Sequence, residues 1–170
     1  MEKKITSHFS KGLIIGLVLV IIGIIFQVLD IYDRWIQWAV LGLYCLAIIY
    51  SCMLYSKEME GDVTFGNVFG HGFKTAAIVT LITIAAFIIT YLIMPEIKEK
   101  AMQIARAEME KNPKVTEEII DNAMKMTDKF FLVFGIVGSL FSYALMGAIA
   151  ALIGAAIAKK TPQSGIPKKV

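Results

Sequence analysis

Residues that could carry out chemistry are few in this chain. The two histidines, His8 and His71, fall on separate segments and have no carboxylate close to them in the sequence. Cys45 and Cys52 share one face of an apolar segment and cannot form a disulfide there, because a disulfide requires Cα atoms within about 7 Å. No His-Glu-x-x-His motif, Gly-x-Ser-x-Gly motif or glycine-rich phosphate loop is present. We therefore expect no catalytic residue, no metal site, no cofactor and no enzymatic activity.

The most distinctive stretch is the loop 61–74, in which glycines and phenylalanines recur. Phe65, Phe69 and Phe73 lie four residues apart, so a helix beginning at residue 65, with Thr64 as its N-cap, places three rings on one face. This pattern predicts a short helix partly sunk in the membrane interface and anchored by its rings. The residues of this interfacial loop are Thr64, Phe65, Gly66, Phe69, His71, Gly72, Phe73 and Lys74.

A second interpretation gives this loop a ligand. Lys57, His71 and Lys74 are all expected near the same membrane surface. Together they would form a pocket for a lipid headgroup or for a partner. The sequence alone leaves ring anchoring and ligand binding as open alternatives.

The composition indicates the solvent around the rest of the chain. Of 170 residues, 57% are hydrophobic and 18% are charged; soluble domains have about 45–50% apolar and about 25% charged residues. The charges are concentrated in tails and loops, as expected if the apolar runs lie in hydrocarbon, where charges are costly. The net charge of +3 is not arranged as a basic stripe with interleaved aromatic residues, so we expect no nucleic-acid partner.

Four apolar runs are long enough to cross a bilayer as helices, because about 20 residues span its hydrocarbon core. The first is too long for a signal-peptide core and no cleavage site follows it, so we expect it to be retained. The last is too long for an ordinary span and must tilt, kink at a glycine or emerge from the bilayer. The prediction is an all-α integral membrane protein with one domain, 1–170, and spans at about 12–29, 35–55, 73–94 and 130–158.

The polar segment 95–129 is predicted to form an extramembrane helical hairpin. Pro95 marks a kink or a new helix start, Asn112-Pro113 a turn, and Thr116 the N-cap of the second arm. We expect the apolar stripes of the two arms either to pack on each other, with the charges solvated, or to dock a partner. The stripe residues are Ile97, Ala101, Ile104 and Ala105 in the first arm, and Val115, Ile119, Ala123 and Met126 in the second.

Polar and small residues inside the spans suggest two further sites. Thr80 and Thr83 are candidates for a lipid or solute site near Ser139, although such hydroxyls most often bond to their own helix. Small residues on more than one face of the fourth span predict close helix packing, one face inside the bundle and a second against another protein. The predicted helix-association residues are Gly135, Gly138, Ser139, Ser142, Gly147, Ala151, Gly154 and Ala155.

Several of these motifs resemble those of a known family. They are Val63-Thr64-Phe65-Gly66, Phe69 and Gly72-Phe73 at the start of the third span, Pro95-Glu96 at its end, the Met-rich polar segment, and an Ala/Gly-rich last helix ending in Lys159-Lys160. Over essentially its whole length the chain resembles the four-helix bacterial membrane proteins known as the domain of unknown function 4199 family. The resemblance implies an inner-membrane protein of a Gram-negative bacterium. It supplies no activity and no functional residues.

Two functions of different classes follow as hypotheses. The first is a non-catalytic inner-membrane subunit that associates through the fourth helix and the outer hairpin with itself or with a larger membrane complex. The alternative is a lipid or small-solute handling or transport protein with its site between the third and fourth helices. Membrane lipids are expected partners in both cases. Nine of the 17 Lys and Arg residues lie in tails and a short loop on one side, which favours cytoplasmic termini.

Cysteine labelling of intact cells tests this orientation. A cysteine replacing Asn112, in the hairpin turn, should react with a membrane-impermeant maleimide from the periplasmic side. A cysteine replacing Gln163 should react only after lysis, because the C-terminal tail is expected in the cytoplasm. The reverse pattern of labelling would place both termini outside.

Overall fold

A computed structural model describes residues 6–31 and 33–160, and this part of the chain folds into helices without a β-strand. The all-α prediction is therefore confirmed. The helices are α1 (His8–Val28), α2 (Arg34–Glu58), α3 (Phe65–Ile93), α4 (Glu96–Glu110) and α5 (Glu117–Ile157).

Four of these helices, α1, α2, α3 and α5, are long and apolar enough to cross a membrane. Their most apolar stretches have mean hydropathies between 1.8 and 2.6. Many of their large apolar side chains are exposed, among them Ile21, Leu81 and Phe141. This inside-out pattern fits a chain whose surroundings are hydrocarbon rather than water.

The start of α3 differs from the expected short interfacial helix. The Asn67 N–H donates to Thr64 Oγ1 at 3.2 Å, which confirms the N-cap. The Phe69 ring stacks with those of Phe65 and Phe73, at centroid distances of 6.5 and 5.9 Å. From Phe65 the helix continues unbroken to Ile93 instead of restarting at residue 73. No proline interrupts it, and the glycines in its first turns cost only about 1 kcal/mol each.

Two compact units make up the described chain. The first comprises the residues up to Thr83 together with those from Ser142 onward, and the second comprises Ile84–Phe141. Both α3 and α5 contribute to each unit, so no chain segment links the units other than these two helices.

The core of the first unit depends on close approach to glycines. Tyr44 is fully buried, and its hydroxyl donates to the Tyr143 carbonyl oxygen at 2.9 Å. A Cβ added at Gly147 would collide with the Tyr44 hydroxyl and would lie 2.7 Å from the Ala76 Cβ. At Gly154 an added Cβ would lie 2.8 Å from the Cys52 Cβ. At Gly147 and Gly154 the neighbouring atoms therefore leave no room for a side chain larger than a hydrogen atom.

The second unit contains the hairpin, and ion pairs brace it. α3 ends at Ile93 and α4 begins after Pro95, as the sequence predicts. Arg106 on α4 contacts Glu117 at 3.1 Å and Asp121 at 2.9 Å, both on α5. Its hydrogen bonds to Asp121 and to Glu110 raise the pKa of Arg106. These charges pair between the arms while their side chains stay 40–76% exposed to solvent.

Two details of α5 differ from the sequence expectation. Ile120 faces inward with 2% of its surface exposed, whereas Ile119 and Met126 of the predicted stripe are 53% and 57% exposed. Neighbouring isoleucines fit helical spacing equally well, and the Arg106 ion pairs place the face containing Asp121 and Ile120 toward α4. The helix departs from helical geometry at Phe130 (φ −113°, ψ 21°) and not at a glycine.

Substituting alanine at two glycines, one packed and one open, tests the packing of the first unit. Gly147→Ala should destabilise the protein by about 1–3 kcal/mol, because the added methyl overpacks the site beside Tyr44. Gly42→Ala on α2 is the matched control, since no atom lies within 4 Å of its added Cβ, and it should stabilise by about 0.5–1 kcal/mol through helix propensity. Unfolding of the purified protein in mixed micelles measures both. Equal effects would refute this packing.

Candidate functional site

A polar cleft lies at the end of the first unit where α1 begins, α2 ends and α3 begins. Its volume is about 370 Å³, within the roughly 300–1,000 Å³ that small-molecule sites occupy. Before and within α1 it is lined by Thr6, Ser7 and His8, on α2 by Tyr55, and on α3 by Gly66, Asn67, Gly70, His71 and Lys74.

His71 is the most buried polar side chain of the cleft, with 8% of its surface exposed. Its ring stacks on Tyr55 with a centroid distance of 4.2 Å and meets the His8 ring edge-on at 6.1 Å. Its Nε2 lies 3.5 Å from the Ser51 hydroxyl oxygen. Among the described residues its Nδ1 has no hydrogen-bond partner, and none of their buried side-chain nitrogens or oxygens lacks one. Nδ1 therefore retains access to solvent, through the cleft that the ring lines.

A buried ion pair lies behind the cleft. Lys11, which is 6% exposed, donates from Nζ to Glu58 Oε2 at 3.0 Å, and the Thr6 N–H donates to the same oxygen at 3.2 Å. The Lys11 ammonium also lies 5.9 Å from the centroid of the Tyr55 ring. The pair joins the start of α1 to the end of α2, and Lys11 neutralises the Glu58 carboxylate.

The electrostatics of the cleft favour a negative ligand. Lys74 is exposed at its edge, and no carboxylate is among the described residues that line it. Two helix N-termini open onto it: α1 behind its cap Ser7, and α3 with Gly66 and Asn67 in its first turn. The peptide dipoles of a helix place partial positive charge at its N-terminus.

The loop residues singled out from the sequence have separate roles. His71 and Lys74 come together in the cleft as the ligand hypothesis required, but Lys57 is exposed and does not line it. Gly72 is a packing residue, because an added Cβ would collide with Cys52 Sγ and approach Ala151. His8, Tyr55 and the Lys11–Glu58 pair were missed, because only the folded chain brings these distant segments together.

The threonines proposed for a solute site bond within their own helix. Thr80 donates to the Ala76 carbonyl oxygen at 2.9 Å. Thr83 lies 3.1 Å from the Val79 carbonyl oxygen and 2.9 Å from that of Thr80. Their hydroxyl protons are engaged by the backbone, so these contacts offer no donor to a solute.

Most of the predicted helix-association residues are used within the chain. Gly135 faces the Phe87 ring, and Gly147, Ala151, Gly154 and Ala155 are buried. Ser139 is half-buried. Gly138, beside which no atom would meet an added Cβ, and Ser142 are exposed. Of the predicted set, Gly138 and Ser142 are therefore the exposed members.

Comparison with known proteins identifies the family. The family described as "Protein of unknown function (DUF4199)" matches residues 11–160. The chain belongs to this family. The match confirms the resemblance drawn from the loop before α3, and it includes α2, α3, α4 and α5 in full. No curated protein and no solved structure matches the chain. The described residues of this DUF4199 protein contain no cluster of three or more His, Cys, Asp or Glu suited to a metal ion.

The Lys11–Glu58 pair can be tested by single and paired substitution. Lys11→Met should destabilise the protein toward the lower end of the ~3–5 kcal/mol that an unpaired buried charge costs, since Glu58 is 17% exposed. The double variant Lys11→Met/Glu58→Gln should recover most of this loss, because no charge remains unpaired. Unfolding in mixed micelles provides the free energies. A double variant as unstable as the single one would show that the pair has no coupling.

Proposed function

We propose that the protein is a non-catalytic membrane subunit that self-associates through α5 and the hairpin. Its location would be the inner membrane of a bacterium, with both termini in the cytoplasm. The location follows from the family resemblance, and the orientation from the lysines of the tails and the short loop.

One exposed apolar face of α5 carries this proposal. Its residues recur at spacings of seven, four or three, which places Ile119 and Met126 on one side of the segment before Phe130, and Val133, Val137 and Phe141 on one side of the segment after it. All of them lie in the second unit, and each is at least 40% exposed: Ile119, Met126, Phe130, Val133, Val137 and Phe141. The face passes through Phe130, where the sequence predicts that the span meets the hairpin.

Lipid can cover only part of this face. Val133, Val137 and Phe141 fall in the predicted span, but Ile119 and Met126 fall in the predicted extramembrane arm. Exposed apolar residues outside the membrane favour burial against another protein. A partner for the whole face must therefore be apolar both within the bilayer and beyond it.

A second copy of the chain meets this requirement. In a two-fold symmetric dimer the same surface of both copies is used, so each α5 offers the other a face of equal length that changes environment at the same point. Gly138 and Ser142, each one residue after a member of the face, border it and are exposed. The alternative of solute handling at Thr80 and Thr83 has no comparable support, because their hydroxyls bond to their own helix.

Cross-linking at single introduced cysteines tests the association. Val137→Cys, on the proposed face, should give a covalent dimer when membranes are oxidised, because two-fold symmetry brings equivalent residues together. Ile21→Cys is the matched control on α1, exposed to a similar degree but off the face, and should give only the background of the unaltered chain with Cys45 and Cys52.

Gentle extraction separates this proposal from its competitors. Two differently tagged copies should co-purify in mild detergent, and Met126→Lys should weaken the association by placing a charge in the face. A stoichiometric foreign protein with no second copy would indicate a larger complex. Dimers formed equally at Val137 and Ile21 would contradict the proposed face.

A further inference from the structure

We propose that the cleft between the starts of α1 and α3 is a binding site for a phosphate group, carried either by a lipid headgroup or by free phosphate. The site is separate from the α5 face, so the proposal does not depend on self-association. It rests on a cavity, a buried polar side chain open to it, and positive charge at its lining, from the Lys74 ammonium and from two helix N-termini.

The donors of the cleft are side chains that hold defined positions. The His71 ring is fixed between Tyr55 and His8, and its Nδ1 has no hydrogen-bond partner among the described residues. Lys74 follows His71 by three residues on the same helix, so both side chains are directed to one face. Lys74 also has no ion-pair partner in the described part of the chain. In the tautomer with its proton on Nδ1, His71 donates from that atom while Nε2 accepts from the Ser51 hydroxyl, and this donor together with the Lys74 ammonium suits phosphate oxygens.

Backbone donors add to these side chains. In an α-helix the first N–H groups lack a partner within the helix. The Ser7 hydroxyl accepts from the Ser10 N–H, and the Thr64 hydroxyl accepts from the Asn67 N–H. The N–H groups that come earlier in each helix receive no bond from these cap side chains. Gly66 and Gly70 line the cleft without side chains, so an anion can approach the start of α3 closely.

The arrangement also excludes a cation as the natural ligand. No carboxylate is among the described lining residues, and Glu58 behind the cleft is already bonded to Lys11 and to the Thr6 N–H. The formal charge that the described lining residues contribute is the ammonium of Lys74. A phosphate bound in the cleft would be a counter-ion for this ammonium.

Binding is tested on the full-length protein purified in an uncharged detergent. In one arm, inorganic phosphate is titrated calorimetrically into the delipidated protein at constant ionic strength. In the other arm, the protein is exchanged from vesicles of phosphatidylcholine with phosphatidylglycerol, and the retained phosphatidylglycerol is measured by mass spectrometry. Saturable binding in the first arm identifies free phosphate, and stoichiometric retention only in the second identifies a headgroup.

Two variants and two matched controls locate the site. Lys74→Gln and Asn67→Asp should each weaken the observed binding by about tenfold or more, since each removes a positive charge or adds a negative one beside the anion. Asn67→Asp should fold normally, because an acid in the first turn of a helix favours the dipole. Lys57→Gln and Asn112→Asp make the same charge changes outside the cleft and should bind as the unaltered chain does.

The results decide the proposal in either direction. Saturable binding of either probe that is lost in the cleft variants and kept in the controls supports it. Absence of saturable binding of both probes to the unaltered chain overturns it. Equal weakening in the cleft variants and the controls also overturns it, because the binding would then follow net charge alone.

Discussion

Close approach of backbones at glycine is the constraint on which the first unit depends. Lipid tails are as apolar as the side chains facing them, so the hydrophobic effect does not hold membrane helices together, and van der Waals contact must do so. Gly147 admits the Tyr44 hydroxyl, Gly154 admits Cys52, and Gly72 admits both Cys52 and Ala151. The same contacts fix the rotation of each helix about its axis, and so determine which polar groups meet at the end of the unit.

Buried polar groups of the first unit find their hydrogen-bond partners in three ways. Thr75, Thr80 and Thr83 bond to their own helix, which costs no contact with another segment. The Tyr44 hydroxyl donates to the Tyr143 carbonyl oxygen within α5, and the Ser56 hydroxyl donates to the Lys159 carbonyl oxygen just after α5 ends. Both bonds join α2 to the C-terminal part of the chain. Lys11 and Glu58 satisfy each other. His71 is the exception, since one of its ring nitrogens is left for the cleft, and this exception distinguishes a site from a packed core.

The second unit is stabilised in a different way because its hairpin carries charge. α4 has no buried residue, and the arms are joined by ion pairs centred on Arg106 and by the Lys98–Asp128 pair. In the described part of this unit the buried apolar side chain is that of Ile120. Exposed ion pairs contribute little individually, although a planar guanidinium that bonds three carboxylates holds a defined geometry. One apolar face of α5 is thereby left uncovered.

The sequence by itself determined the features that depend on local periodicity and on the solvent. Long apolar runs gave the four candidate spans, Pro95 and Asn112-Pro113 gave the hairpin, and the spacing of three phenylalanines gave the stacked rings of α3. It also placed His71 and Lys74 near one another, because they are three residues apart on one helix. Motifs of the loop and of the last helix were sufficient for the family.

Only the tertiary structure decided which face of each helix turns inward. Ile119 and Ile120 are equivalent by spacing, and the ion pairs from α4 select Ile120. Lys11 and Glu58 are 47 residues apart, and His8 reaches His71 only when α1 packs beside α3. Small residues of α5 likewise divide into buried and exposed sets only once Tyr44 and Cys52 occupy their places. Periodicity is a property of one segment, whereas helix rotation is set by partners distant in the sequence.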